Sequence, residues 1–187
     1  MQRFFLFLFL TSFLFIPKVQ SAHIIGGMMS YEFISTSNGI NKYRITIRVF
    51  RDCQSQGADF DSNAGVSIAT ADGKYIKTNE NFSNPTKSNL TNLFSNPCLV
   101  LPPDVCVQEG AYTKIIDLPV INLSYYIIYQ RCCRNNSIFN IMNPGDVGAT
   151  YYTEITPLAQ QLQNSSPTFK TIPPIAVCGN FSLQFDH

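Results

Sequence analysis

Residues 41–52, NKYRITIRVFRD, alternate without a break: Tyr43, Ile45, Ile47 and Val49 fall on one side, and Arg44, Thr46 and Arg48 on the other. That period of two matches a strand with one face buried and one face wet; a helix would scatter the same residues around its axis. The rest of the chain follows suit. "MMSYEFIS" lies just upstream, separated by the turn residues "SNG" at 37–39, and predicts a hairpin partner. "GVSIATADGKYIK" carries Asp72-Gly73 between two β-prone runs, a strong hairpin signal. "AYTKIIDLPV" and "TYYTEIT" are further strands, and "PPIAVCGNFSLQFDH" supplies one or two more. "YYIIYQRCC" is apolar on both faces and predicts a central strand covered on both sides. Residues 79–97, rich in Asn, Ser and Thr, read as a long surface loop. No window holds a sustained helical stripe, and "PLAQQLQN" at 157–164 makes at most a short helix. About eight short strands between turn signals give the expected class: an all-β, antiparallel, immunoglobulin-like β-sandwich.

The N-terminus adds a compartment. Arg3 precedes an apolar run over residues 4–16, Pro17 ends it, and the small residues Ser21 and Ala22 follow. This is the layout of a secretory signal peptide. The alternative, a membrane anchor, needs about 20 apolar residues, more than the run provides. The expected organisation is therefore a signal peptide at 1–21 and one β-sandwich domain at 22–187. Without the signal, 11 Lys and Arg face 12 Asp and Glu. Such a balance gives no electrostatic case for nucleic acid or for an anionic membrane surface. No later segment is long and apolar enough to span a bilayer, so the mature chain is expected to be secreted or at the cell surface.

In an oxidising compartment the six cysteines, Cys53, Cys98, Cys106, Cys132, Cys133 and Cys178, read as a disulfide framework that staples the sandwich. Each bridge closing a long loop adds about 2–4 kcal/mol. Six cysteines allow 15 connectivities. Cys98 and Cys106 bracket "LVLPPDV", whose prolines force a turn that favours pairing the two. In an extended strand Cys132 and Cys133 face opposite ways, so each is expected to take a different partner, Cys53 or Cys178. Zinc would want C-x-x-C pairs or cysteine–histidine clusters, and the only histidines are His23 and His187.

Those two histidines, at the ends of the mature chain, are a poor supply for a serine triad or acid–base chemistry. Nucleophile-elbow, phosphate-loop and zinc-protease motifs are missing, no cofactor is implied, and the chain reads as non-enzymatic. Asp59 and Asp61 could bind calcium or act as an acid–base pair, but in "QGADFDSNAG" they fit a solvated loop better. Tyr125, Tyr126, Tyr129, Tyr151 and Tyr152 form a candidate ligand face for glycans, against core or cross-strand packing. Arg131 and Arg134 flank the adjacent cysteines; they could hold an anion, or hydrogen-bond carbonyls and carboxylates nearby. Asn81, Asn89, Asn122, Asn135, Asn164 and Asn180 head glycosylation sequons.

Several stretches together, "HIIGG", "VFRDC", "NPCLVLPPDVCVQEGAYT", "YIIYQRCCRNNSIFNI", "NPGDVGATYYTEI" and "SSPTFKTIPPIAVC", carry a resemblance. They resemble the N-terminal region of large cell-surface proteins of the Bacteroidetes. Those proteins often bear tandem immunoglobulin-like repeats of the polycystic-kidney-disease type, and a sorting domain associated with gliding motility and type IX secretion. The "YQRCCRNN" block is the most specific part. The resemblance implies a surface protein with a structural or adhesive role, of which this chain is the N-terminal module. Its partners would be surface glycans or other surface proteins. It carries over no catalytic residues.

Overall fold

The computed structural model describes residues 24–55, 57–90 and 105–169. Eight strands run in chain order: β1 (Ile24–Ser37), β2 (Ile40–Asp52), β3 (Asn63–Thr70), β4 (Tyr75–Ser83), β5 (Thr86–Asn89), β6 (Val107–Pro119), β7 (Tyr125–Arg131) and β8 (Ala149–Ile155). One short helix, α1 (Pro157–Gln161), follows. The strands form two four-stranded sheets, ordered β1-β2-β6-β5 and β4-β3-β7-β8, with every pairing antiparallel. The sheets pack face to face as a β-sandwich. The expected signal peptide, both histidines and the predicted strands at 173–187 lie outside the described residues.

Alternation decides what the sandwich buries. Tyr43, Ile45, Ile47 and Val49 of β2 face inward, as their spacing predicts, beside Tyr112, Ile116 and Leu118 of β6. Opposite them stand Ala64, Val66 and Ile68 of β3, and Tyr125, Ile127 and Tyr129 of β7. Apart from Ala64, each of these side chains contributes roughly 1.5–3 kcal/mol when fully buried. The Asp72-Gly73 turn joins β3 to β4, with Gly73 at φ +82°, where a residue carrying a Cβ is disfavoured.

Two expectations need correction. Residues 79–97 are not one long loop: 79–83 complete β4 and 86–89 form β5, while 91–97 lie outside the described residues. Both are edge strands, so most of their polar side chains can stay in water while the backbone pairs. β7 is central in its sheet, as expected, but it is buried on one face only. Its outward Tyr126 and Ile128 are half-buried by neighbours within the sheet.

The sandwich closes differently at its two ends. At one, Asn41 and Gln160 are fully buried and hydrogen-bonded. The Asn41 amide donates to the Gln160 carbonyl (2.8 Å) and the Tyr43 hydroxyl (3.0 Å). The Gln160 amide donates to Leu123 O (2.8 Å), and its side-chain oxygen accepts from Ile121 N (3.0 Å). Tyr125 Oη donates to Pro119 O (2.7 Å), tying the start of β7 to the end of β6. Thr156 caps α1 by accepting from Ala159 N (3.1 Å), which keeps Gln160 over this plug. Beyond α1 the chain returns to the outer edge of β1. There the hydroxyls of Ser166 and Ser165 accept from the backbone N–H groups of Tyr31 (2.9 Å) and Phe33 (3.0 Å).

Candidate functional site

The opposite end gathers Cys53, Cys106, Cys132 and Cys133, with the described parts of the connection after β2 and the connection at 132–148. The antiparallel register brings Asp52 opposite Val107, so Cys53 and Cys106 meet one rung further on. They are disulfide-bonded with Cα atoms 5.3 Å apart, and Cys53 N donates to Cys106 O (3.1 Å). This overturns both the expected Cys98–Cys106 pairing and the expected partners of Cys53. Adjacency of β2 and β6 in the sheet outweighed proximity in sequence. Cys98 and Cys178 lie outside the described residues.

Cys132 and Cys133 are bonded to each other, with Cα atoms 3.7 Å apart, against the expectation of separate partners. The premise of an extended strand fails: β7 ends at Arg131, and Cys133 has φ +77°, in the left-handed region. That backbone turn brings both sulfurs to the same side. Arg134 N then donates to Pro144 O (3.1 Å) and Val147 O (3.2 Å), and Arg134 Nε to Gly148 O (3.1 Å). Asn135 is buried, its backbone N–H on Ile24 O (2.9 Å) and its amide on Asp52 Oδ2 (3.1 Å). The root of the 132–148 connection is thus pinned to β1 and β2 through Asn135, and its two ends are held together by Arg134. Its tip is not: Phe139 is 102% exposed and Met142 87%.

The arginines and aspartates pair with each other. The largely buried Arg131 side chain forms an ion pair with Asp61, and burial holds the Arg131 guanidinium below its ordinary pKa. Asp59 accepts from Lys87 Nζ (2.6 Å) and lies 3.4 Å from Arg51 Nη1. The Lys87 hydrogen bond is the main cause that lowers its pKa. Of the two readings of the flanking arginines, contacts with a carboxylate and a carbonyl are what the structure contains. Among the described residues, no group of three or more His, Cys, Asp or Glu side chains could hold a metal ion. Asn81, Asn89, Asn122 and Asn164 are exposed; Asn180 lies outside the described residues.

The five tyrosines do not share a face. Tyr125 (1% exposed) and Tyr129 (3%) are core residues, because odd positions of β7 point inward. Tyr151 stacks on Tyr129, with centroids 6.2 Å apart, in a space that Gly27 leaves open: a Cβ there would lie 2.8 Å from the Tyr151 ring. Its hydroxyl is buried without a partner, and burial raises its pKa against the pull of Arg134 and Arg131. Tyr126 and Tyr152 (64% exposed) stand on the outer face, 6.4 Å apart and tilted by 54°. Glu154 beside Tyr126 raises the phenol's pKa.

Sequence spacing missed Phe139 and Met142. Their signal was a run of apolar residues inside turn chemistry, "SIFNIMNPGD", which a sandwich core has no use for. The described part of the chain is a small all-β domain with two disulfides, and none of its helices is long and apolar enough to cross a membrane. No family model, curated protein or solved structure matches the chain.

Proposed function

We propose that this chain is an exported, non-enzymatic immunoglobulin-like module of a surface protein, which contacts its partner through the connection at 132–148. The observation that carries the reading is the pair Phe139 and Met142, held fully exposed on a connection whose root is pinned by Asn135 and Arg134. A rigid base with apolar side chains at the tip fits a protein partner, since such anchors contribute most where they fill a pocket. The strand order supports the immunoglobulin-like type: β1-β2-β6-β5 and β4-β3-β7-β8 match the A-B-E-D and C′-C-F-G sheets of such sandwiches. The Tyr125–Pro119 hydrogen bond supports it too, as it has the form of a tyrosine corner at the start of the sixth lettered strand. In that lettering the 132–148 connection is the F–G loop, used for recognition in many relatives of the fold. Export and a place among the Bacteroidetes surface proteins rest on the N-terminal sequence and on the resemblance described above.

Retention on immobilised extracellular and cell-surface proteins tests the reading. The double substitution F139S/M142S is expected to cut retention about tenfold or more with an unchanged melting temperature. Equal retention by both proteins rejects the role of the loop. A second reading, glycan binding, is favoured by one observation: the Tyr126–Tyr152 pair on the outer sheet face. A glycan array with native protein and Tyr152→Ala separates the two, because only the second reading predicts array signals lost in the variant.

A further inference from the structure

We propose that the Cys132–Cys133 ring is a redox latch that sets how far the β7–β8 ladder runs. The ladder pairs every residue from Tyr125↔Ile155 to Arg131↔Ala149 and then stops. Its next two rungs would set Cys132 opposite Gly148 and Cys133 opposite Val147. The strands are already side by side at that point, since a Cβ on Gly148 would lie 3.3 Å from Arg131 O and 4.0 Å from Cys132 Cα. The ring is what intervenes. Adjacent side chains on an extended strand point to opposite faces, so a bond between neighbouring cysteines and a continued strand exclude each other. Cys133 accordingly sits at φ +77°, a conformation disfavoured for any residue with a Cβ.

The two disulfides differ in what they can do. Cys53–Cys106 closes a separation of 53 residues and restrains the unfolded chain strongly. Cys132–Cys133, at a separation of 1, restrains it hardly at all, so a stapling role does not account for it. Cys132 is also the exposed member of the four, the others being half-buried. A small dithiol therefore meets Cys132 first. One of its thiolates attacks Cys132 Sγ, the S–S bond breaks, and the electron pair goes to Cys133 Sγ, which takes up a proton. The second thiolate attacks the mixed disulfide and releases Cys132 as a thiol; the reductant leaves as its own disulfide, having delivered two electrons and two protons. With the ring open, Cys133 relaxes to the extended region and the ladder gains the two rungs at 148 and 147. The connection contracts from 132–148 to 134–146, carrying Phe139 and Met142 with it. The latch goes beyond the binding role proposed above and does not depend on it, because its readouts are thiol chemistry and backbone protection.

The test uses the full chain. Non-reducing peptide mapping should recover Cys132 and Cys133 in one peptide, lighter by two hydrogens than the dithiol and joined to no other. Graded treatment with dithiothreitol followed by alkylation should label these two before Cys53 and Cys106. In the protein reduced at that pair alone, and in C132S/C133S, amide exchange within 132–133 and at Gly148 should slow about tenfold, whereas Arg134 N and Val147 N are already hydrogen-bonded with the ring closed. A bridge from Cys132 or Cys133 to another cysteine overturns the latch, as does earlier opening of Cys53–Cys106. So does unchanged exchange in the selectively reduced native protein, which needs no variant to fold.

Discussion

The two ends of the sandwich are closed by different physics. One end carries the Cys53–Cys106 bond, the Arg131–Asp61 ion pair and connections that reach into solvent. The other is shut by a buried hydrogen-bonded plug built from Asn41, Gln160 and Tyr43, with Tyr125 tying the adjacent corner. A plug of amides works only if each polar group is satisfied, so it tolerates little change and leaves nothing for a ligand. A covalent clamp fixes strand ends and lets neighbouring residues vary freely. Candidate recognition residues accordingly appear at the clamped end.

Cutting the clamp is the strongest way to break this contrast. C53S/C106S should destabilise the protein by about 4 kcal/mol on loop-closure grounds. The melting temperature should fall on the order of 10 °C, read by circular dichroism under non-reducing conditions. Gln160→Ala attacks the other end. It strips partners from Ile121 N and Leu123 O, and should lower the free energy of urea unfolding by about 2–3 kcal/mol. Tyr125→Phe removes only the hydroxyl that holds Pro119 O and should lower it by about 1–2 kcal/mol, with the fold retained. C132S/C133S should cost below about 1 kcal/mol, because the ring closes almost no chain. A loss as large as that of C53S/C106S would mean that the two disulfides do the same work.

pH offers a finer comparison. Burial, reinforced by Asp59, raises the Tyr112 phenol from 10.0 to about 12, and its hydroxyl donates to Asp61 O (2.8 Å) at the clamped end. A folded-state pKa above the unfolded one gives stability that is complete below pH 10 and declines as pH rises from 10 towards 12. Tyr112→Phe should flatten that alkaline decline in urea titrations. Asp59 works in the opposite sense: the Lys87 hydrogen bond puts its folded pKa below 3.8, so its small contribution is present above that value and lost on acidification.

What could be read from sequence depended on whether one face was apolar. β2 announced its inward residues because Tyr43, Ile45, Ile47 and Val49 alternate with charge. The same rule, applied to β7, puts Tyr125 and Tyr129 on the inner face and Tyr126 on the outer one. β5, by contrast, is TKSN, exposed throughout, and pairs with β6 mainly through its backbone; no apolar alternation marks such a strand. The partners of Cys53 and Asp61 were hidden for another reason. They follow from which strands and loops become neighbours, and local periodicity holds no information on that. The Cys132–Cys133 bond depends on a single left-handed residue, which no propensity of cysteine would suggest.

The serines beside β1 carry a consequence for assembly. Ser166 and Ser165 occupy the N–H groups of Tyr31 and Phe33 with hydroxyls, where a neighbouring strand would have used carbonyls. An incoming chain therefore finds two of its docking points along this edge already taken, by side chains that offer no template for propagation. Two small hydroxyls thus limit edge-to-edge polymerisation of a sheet whose outer strand is 14 residues long.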